Sequence, residues 1–142
     1  MIKVNENIET NIKIVKHYIK DLSFENPQSI NENNFVNNND CNFSQSMSFI
    51  YLPYKNNFFG VIMKCACEGS SKKNESKLFV LELDYFGFFK ITDNKTYDQA
   101  DLTKMGGKLI IPFVRSIIKD ITNRGGSFSI DIPEVNFELI KG

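Results

Sequence analysis

The sequence predicts an α+β protein in which an antiparallel sheet comes first and the helices come last. Four segments alternate between apolar and polar residues or are rich in β-branched residues, and short polar turns separate the last three. A later segment repeats its apolar residues at helical spacing instead. We therefore expect a four-stranded antiparallel β-meander, a long helix in the C-terminal half and a short terminal helix, all in one domain spanning residues 1–142.

The four strands are predicted at residues 12–19, 43–52, 58–68 and 77–90. The first is rich in β-branched residues, and strict alternation would place Ile14 and His17 on opposite faces of the sheet. Asn26-Pro27 follows it, and the proline enforces extended or turn geometry there. Residues 1–11 are polar, and we expect them to be mobile.

The fourth strand alternates most clearly. One face would carry Phe79, Leu81, Leu83 and Tyr85, and the other would carry Val80, Glu82 and Asp84. Gly87 would mark a bulge or a bend. One helix covers about one face of such a sheet, so the other face should expose apolar residues, with Phe49, Phe58, Phe59 and Phe88 as candidates. An exposed apolar surface of that kind marks a partner site or an oligomer interface.

The long helix is predicted at residues 109–126. Two apolar rows run along it, one of Leu109, Phe113, Ile117 and Ile121 and the other of Ile110, Val114 and Ile118. Together they form a stripe wider than a coiled-coil seam, which requires a large apolar surface to lie against. Gly106-Gly107 would break an earlier helical segment and act as a hinge. Pro112 would kink or open the helix, and Gly125-Gly126 would end it.

The composition excludes several classes of function. Basic and acidic residues balance at 17 each, which removes the general electrostatic argument for binding nucleic acid or an anionic membrane. The first 15 residues carry scattered charges, so we expect no signal peptide, and no apolar run is long enough to span or insert into a membrane. We expect a cytoplasmic protein whose three cysteines are reduced.

Few residues could carry catalysis or hold a metal. Cys65 and Cys67 lie two apart on a predicted strand and share a face, but zinc requires about four ligands, so core filling is the favoured interpretation. The chain has a single histidine, His17, which would need a cysteine or serine within hydrogen-bond reach and an orienting carboxylate to act as a base. We expect no cofactor and no enzyme activity, with a small cysteine and histidine enzyme as the disfavoured alternative.

Three blocks of sequence carry a family resemblance. Residues 18–27 read YIKDLSFENP, residues 77–89 read KLFVLELDYFGFF, and residues 110–118 and 130–140 read IIPFVRSII and IDIPEVNFELI. In this order they resemble the opening segment, the last strand and the helix with its terminal segment in the SecB family of cytosolic protein-export chaperones. The resemblance covers nearly the whole chain. It implies a homotetramer, built as a dimer of dimers, that binds unfolded preproteins without nucleotide and delivers them to the SecA translocation motor.

The resemblance also implies roles for particular residues. Its SecA-docking patch falls on Asp21, Glu25, Val80 and Glu82. Its interface between dimers falls on Leu81, Leu83 and Tyr85, to which the apolar stripe of the helix adds Ile117 and Ile121. Adaptable apolar side chains that could line a client groove are Phe43, Met47, Phe49, Phe58, Phe79 and Phe113. The alternative within binding proteins is a SecB-like chaperone dedicated to a single client, such as an antitoxin, without delivery to SecA.

Overall fold

The computed structural model describes residues 11–27, 41–73 and 76–126, in which four strands precede one long helix. The strands are β1 (Ile12–Glu25), β2 (Cys41–Pro53), β3 (Phe58–Ser71) and β4 (Lys77–Ile91), and the helix α1 spans Gln99–Arg124. The predicted α+β class, with an antiparallel sheet and a long helix, is confirmed. Of the residues 1–11 predicted to be mobile, residues 1–10 lie outside the described residues, as does the predicted terminal helix.

The strands are arranged in the order β1-β4-β3-β2, and each is antiparallel to its neighbours. Strands β2, β3 and β4 follow one another as predicted. The predicted meander does not extend to β1, which pairs with β4 on the far side of the sheet and makes the arrangement a Greek key. Within the described part of the chain, β1 and β2 are therefore the two edge strands.

Strand β1 is longer than predicted and changes its phase along its length. Its pairing with β4 is irregular at two places, which leave Val15 and Lys20 with no residue directly opposite. A bulge of this kind shifts the alternation of side chains by one residue. His17, opposite Gly87, consequently lies on the same face as Ile14. Strict alternation predicted the reverse, and that prediction is wrong.

Helix α1 lies across one face of the sheet and contacts all four strands. We call this the helix face, and the other the open face. The core between helix and sheet contains side chains that are fully buried, among them Phe59, Phe79, Phe89, Leu81, Ile110, Val114 and Ile118. The alternation predicted for β4 is confirmed by its burial pattern. Cys65 and Cys67 are also in this core, which confirms their interpretation as core residues.

The helix runs without interruption through Gly106-Gly107, so the predicted break and hinge are wrong. A Cβ atom on Gly106 would lie 2.9 Å from side-chain atoms of both Phe89 and Val61. The glycine therefore allows a close approach of helix to sheet, at a helix-propensity cost of about 1 kcal/mol. On the sheet, Gly87 allows the same close approach, since a Cβ atom there would lie 2.8 Å from a side-chain atom of Ile110. The strand pairing shows no bulge at Gly87.

Both ends of α1 are capped. The Asp98 side chain accepts a hydrogen bond from the backbone N–H three residues later, at 2.8 Å. Pro112 lies inside the helix, which does not begin again there. At the other end Gly126 has a φ of 86°, the left-handed conformation predicted for the terminal glycines. The Asn26 side chain donates to the Gly125 carbonyl at 2.7 Å and so ties the end of β1 to the end of the helix.

Candidate functional site

The four residues predicted for docking lie together on the open face. Glu25 of β1 stands directly opposite Val80 of β4. Glu82 follows on β4, opposite Ser23, and Asp21 follows Ser23 on the same face of β1. The three carboxylates are exposed and Val80 is half-buried. We call these four residues the acidic patch. The structure brings them together because β1 pairs with β4, a pairing that the predicted strand order did not include.

Ion pairs do not neutralise the acidic patch. Two other carboxylates of the open face, Asp84 and Glu68, have lysine partners at 3.1 and 3.6 Å. Within residues 11–27, 41–73 and 76–126, no lysine or arginine forms an ion pair with Asp21, Glu25 or Glu82. The patch therefore presents unpaired negative charge, which attracts and orients a basic partner over distances up to roughly a Debye length of about 8–10 Å.

A depression in the sheet adjoins the acidic patch. Ser46 and Ser48 of β2 and Ala66 of β3 are among its lining residues, and it has a volume of about 410 Å³. Asp21 and Glu82 line the same depression. Small side chains on strands beside a charged patch leave room for a partner's side chains. The sequence showed the serines only as one half of an alternating strand, and their place beside the patch depends on the pairing of β2 with β3.

The residues predicted for the interface between dimers divide into two groups. Leu81, Leu83 and Tyr85 lie beneath α1 and are 0%, 1% and 5% exposed, so in this structure they belong to the core of their own chain. Ile117 and Ile121 are only partly buried and lie at the margin of the same core. A second copy could reach these two directly, whereas contact with the three residues of β4 would require α1 to move.

Three of the predicted client residues share a surface. Phe43, Met47 and Phe49 lie on the helix face of β2, at the edge of the sheet, and remain partly or largely exposed. Phe79 is fully buried beneath them, with its ring centroid 6.1 Å from that of Phe43. The exposed part of this group therefore consists of three side chains along one edge strand.

The other two predicted client residues lie elsewhere. Phe58 is on the open face, where its ring stacks on that of Phe88. Phe113 projects from α1 and stacks on His17 of β1, with ring centroids 4.2 Å apart. The six residues predicted to line one groove therefore occupy three separate places. Phe58 and Phe88 are on the uncovered face as predicted, whereas Phe59 and Phe49 face the helix.

The histidine and the cysteine pair lack the geometry of an activated nucleophile. His17 forms a hydrogen bond with the Tyr85 hydroxyl at 2.5 Å, and burial raises the pKa of that tyrosine. The Sγ atoms of Cys65 and Cys67 are 3.9 Å apart, and the hydrogen bond between them raises the pKa of the Cys65 thiol and lowers that of Cys67. Both side chains are buried in the core. A reactive cysteine needs a lowered pKa and solvent access. In the described ranges no three histidine, cysteine, aspartate or glutamate side chains cluster as metal ligands.

Comparisons with known proteins agree with this architecture. The family model of "Preprotein translocase subunit SecB" matches residues 5–140. The protein-export protein SecB of Orientia tsutsugamushi strain Boryong is 28% identical over 134 residues, covering 93% of this chain and 82% of that protein. The SecB of Parvibaculum lavamentivorans is 31% identical over 128 residues, covering 89% of this chain and 74% of that protein.

A solved structure has the same fold. It is the Mycobacterium tuberculosis Rv1957 SecB-like chaperone, in complex with a ChAD peptide from the Rv1956 HigA1 antitoxin. The TM-score is 0.70 at 10% sequence identity, over 89% of this chain and 92% of that one. Helix α1, the one helix in the described ranges, is not apolar enough to cross a bilayer. Because the SecB family model matches residues 5–140, which is almost the whole chain, the chain belongs to the SecB family of protein-export proteins.

Proposed function

We propose that this chain is a cytoplasmic chaperone that binds unfolded preproteins and delivers them to the SecA translocation motor. The observation that carries the proposal is the acidic patch. Asp21 and Glu25 come from one segment and Val80 and Glu82 from a distant one, and these four residues, which the family resemblance assigns to docking, are neighbours on one surface. Its unpaired carboxylates suit a basic docking segment, because complementary charge increases the rate and the specificity of association.

Client binding is supported by the edge strand β2. Within the described residues it is an edge strand, and an edge strand can take up an extended chain through main-chain hydrogen bonds. Phe43, Met47 and Phe49 lie along this strand and offer apolar contacts that adapt to many sequences. Main-chain hydrogen bonds combined with adaptable apolar contacts would hold non-native chains with little sequence preference and without nucleotide.

Assembly as a dimer of dimers is supported by the surface of α1. Of its two apolar rows, Ile110, Val114 and Ile118 are fully buried against the sheet, whereas Ile117 and Ile121 are not. Phe113, in the same row as these two, is 39% exposed. This second row is the part of the stripe that the chain's own sheet covers only in part, and we propose that a second dimer covers the remainder in the homotetramer.

A direct test of delivery uses one charge reversal and a matched control. Glu82→Lys should weaken binding of the purified full chain to SecA by about tenfold or more at low ionic strength, because it inverts a charge in the centre of the patch. Asp120→Lys makes the same change in net charge on α1, where Asp120 is exposed and paired with Arg124 at 2.9 Å. This control should retain wild-type affinity for SecA. Equal losses in the two variants would contradict docking at the acidic patch.

A SecB-like chaperone dedicated to one client remains the second candidate. It is favoured by the similarity to a chaperone that was solved with an antitoxin peptide. The two candidates differ in their affinity for SecA, since a dedicated chaperone needs none. If the assembled wild-type protein binds unfolded chains but shows no measurable affinity for SecA, delivery to SecA is excluded and the dedicated role is supported.

A further inference from the structure

The open face carries a second surface, at the opposite end of the strands from the acidic patch. It consists of five aromatic residues, Tyr18, Tyr54, Phe58, Phe86 and Phe88, and of three lysines beside them, Lys13, Lys16 and Lys90. We call these residues together the basic aromatic surface. The rings form a continuous row from β1 to the turn between β2 and β3. Tyr18 and Phe86 have centroids 5.2 Å apart, Phe58 and Phe88 stack at 5.2 Å, and Tyr54 meets Phe88 edge-on at 5.0 Å.

The chain accommodates this aromatic layer through a glycine. Gly60 of β3 lies under the rings, and a Cβ atom there would be 3.0 Å from ring carbons of both Phe86 and Tyr54. The rings therefore pack closely onto the sheet. Phe86 is 9% exposed, yet Tyr18 and Tyr54 remain 44% and 49% exposed, because α1 lies on the other side of the sheet. Part of the layer is covered by its own neighbours, and two tyrosines are left to contact a partner.

Three lysines surround the layer. Lys90 places its Nζ atom 5.7 Å from the centroid of Phe58, and Lys16 places its Nζ atom 5.6 Å from that of Tyr18, which are cation–π distances. Lys13 stands directly opposite Lys90 in the β1–β4 pairing. Like charges at directly opposed positions repel one another. Among the described residues, no carboxylate forms an ion pair with any of these three lysines.

Charge complementarity identifies the occupant. A partner must present negative charge to the three lysines and an apolar or aromatic side chain to Tyr18 and Tyr54. Single-stranded nucleic acid could stack on such rings, but Asp21 and Glu82 on the same face would repel its continuing phosphate backbone. A second copy packed face to face would either set its own lysines against these three or bury the acidic patch as well. A peptide segment with discrete acidic residues avoids both difficulties.

We propose that the basic aromatic surface binds a peptide segment of a protein partner in which acidic residues flank a bulky apolar or aromatic side chain. The acidic residues lie against Lys13, Lys16 and Lys90, and the central side chain packs between Tyr18 and Tyr54. The open face then recognises peptides of opposite charge at its two ends, a basic segment at the acidic patch and an acidic segment here. Binding at this surface does not depend on delivery to SecA.

The test uses a synthetic probe and the full chain. A fluorescent peptide of about 12 residues, with phenylalanine between clusters of aspartate and glutamate, is titrated with protein at low salt, where screening is weak. Lys16→Glu combined with Lys90→Glu should weaken binding by about tenfold or more. Tyr18→Ala combined with Tyr54→Ala should weaken it while leaving the charge unchanged.

The matched control is Lys72→Glu with Lys73→Glu, since both lysines are exposed in the turn between β3 and β4. This control should bind as the wild type does.

Four outcomes would overturn the proposal. The first is that the Lys72 and Lys73 control loses as much peptide affinity as the Lys16 and Lys90 variant, and the second is that a peptide with amides in place of its carboxylates binds as tightly as the acidic one. The third is that a uridine oligonucleotide of the same length binds more tightly than the peptide. The fourth is that the Lys16 and Lys90 variant differs from the wild type in its mass in solution. The last would assign the surface to a second copy of this chain. Glu82→Lys should bind the acidic peptide as tightly as the wild type or more tightly, which separates this proposal from SecA docking.

Discussion

The two faces of the sheet use the same four strands in different ways. On the helix face, Phe59 and Phe89 stack at 5.1 Å beneath α1 and have no exposed surface. On the open face, the neighbouring residues Phe58 and Phe88 stack at 5.2 Å and have no described helix above them. Sequence alternation thus produces two aromatic layers of similar geometry. One stabilises the fold, and the other, bordered by unpaired charges, is available for recognition.

The largest expected difference between the faces lies in stability. Phe89→Ala should lower the free energy of unfolding by about 3–5 kcal/mol, because it leaves a cavity between β4 and α1 that the core cannot close. Phe88→Ala, one residue earlier, should cost only about 1–2 kcal/mol, since its half-buried ring loses less contact on truncation. Chemical denaturation of both variants measures the difference. Equal costs would show that the open face is covered in the folded protein.

A second difference lies within α1. Ile117→Glu should dissociate the proposed tetramer while the chain stays folded, because Ile117 is only partly buried and its charge can reach water when a partner is absent. Ile118→Glu should abolish folding instead, since Ile118 is fully buried and would place an unpaired carboxylate in the core. Light scattering gives the mass and circular dichroism gives the fold. A folded Ile117→Glu variant with the wild-type mass would rule out assembly through this row.

Much of this arrangement followed from the sequence, and the failures have physical causes. The faces of β4 were predictable because its alternation is uninterrupted over Phe79 to Tyr85. Those of β1 were not, since bulges at Val15 and Lys20 change its phase and depend on pairing with β4. Local helix propensity predicts that Gly106 breaks the helix, whereas its close contact with Phe89 and Val61 is tertiary and cannot be seen in the local sequence.

The candidate site was predictable in part. The family resemblance selected Asp21, Glu25, Val80 and Glu82, but only the β1–β4 register places them together. For the basic aromatic surface, the sequence predicts only that Phe58 and Phe88 lie on the face that the helix does not cover. Its lysines and tyrosines come from two strands, β1 and β4, and from the turn between β2 and β3, and no local pattern links them. The predicted client groove combines Phe43, Met47 and Phe49 of one edge strand with residues that lie on other parts of the molecule. Only the pairing of the strands shows that these residues are on separate surfaces.

The smallest expected effect concerns the boundary between the two ends of the open face. Lys64 lies there, exposed and paired with Asp84 at 3.1 Å. Because exposed ion pairs contribute little, Lys64→Gln should change the free energy of unfolding by less than about 1 kcal/mol. Among the described residues, Lys64 is the one cation that lines the depression beside the acidic patch. Its removal should therefore strengthen the proposed SecA binding by about twofold to fivefold at low salt, and added salt should remove the gain. Lys90→Gln makes the same charge change at the other end and should leave SecA binding unchanged. If both variants strengthen binding equally, the two ends of the open face do not act as separate charged surfaces and only the net charge of the protein matters.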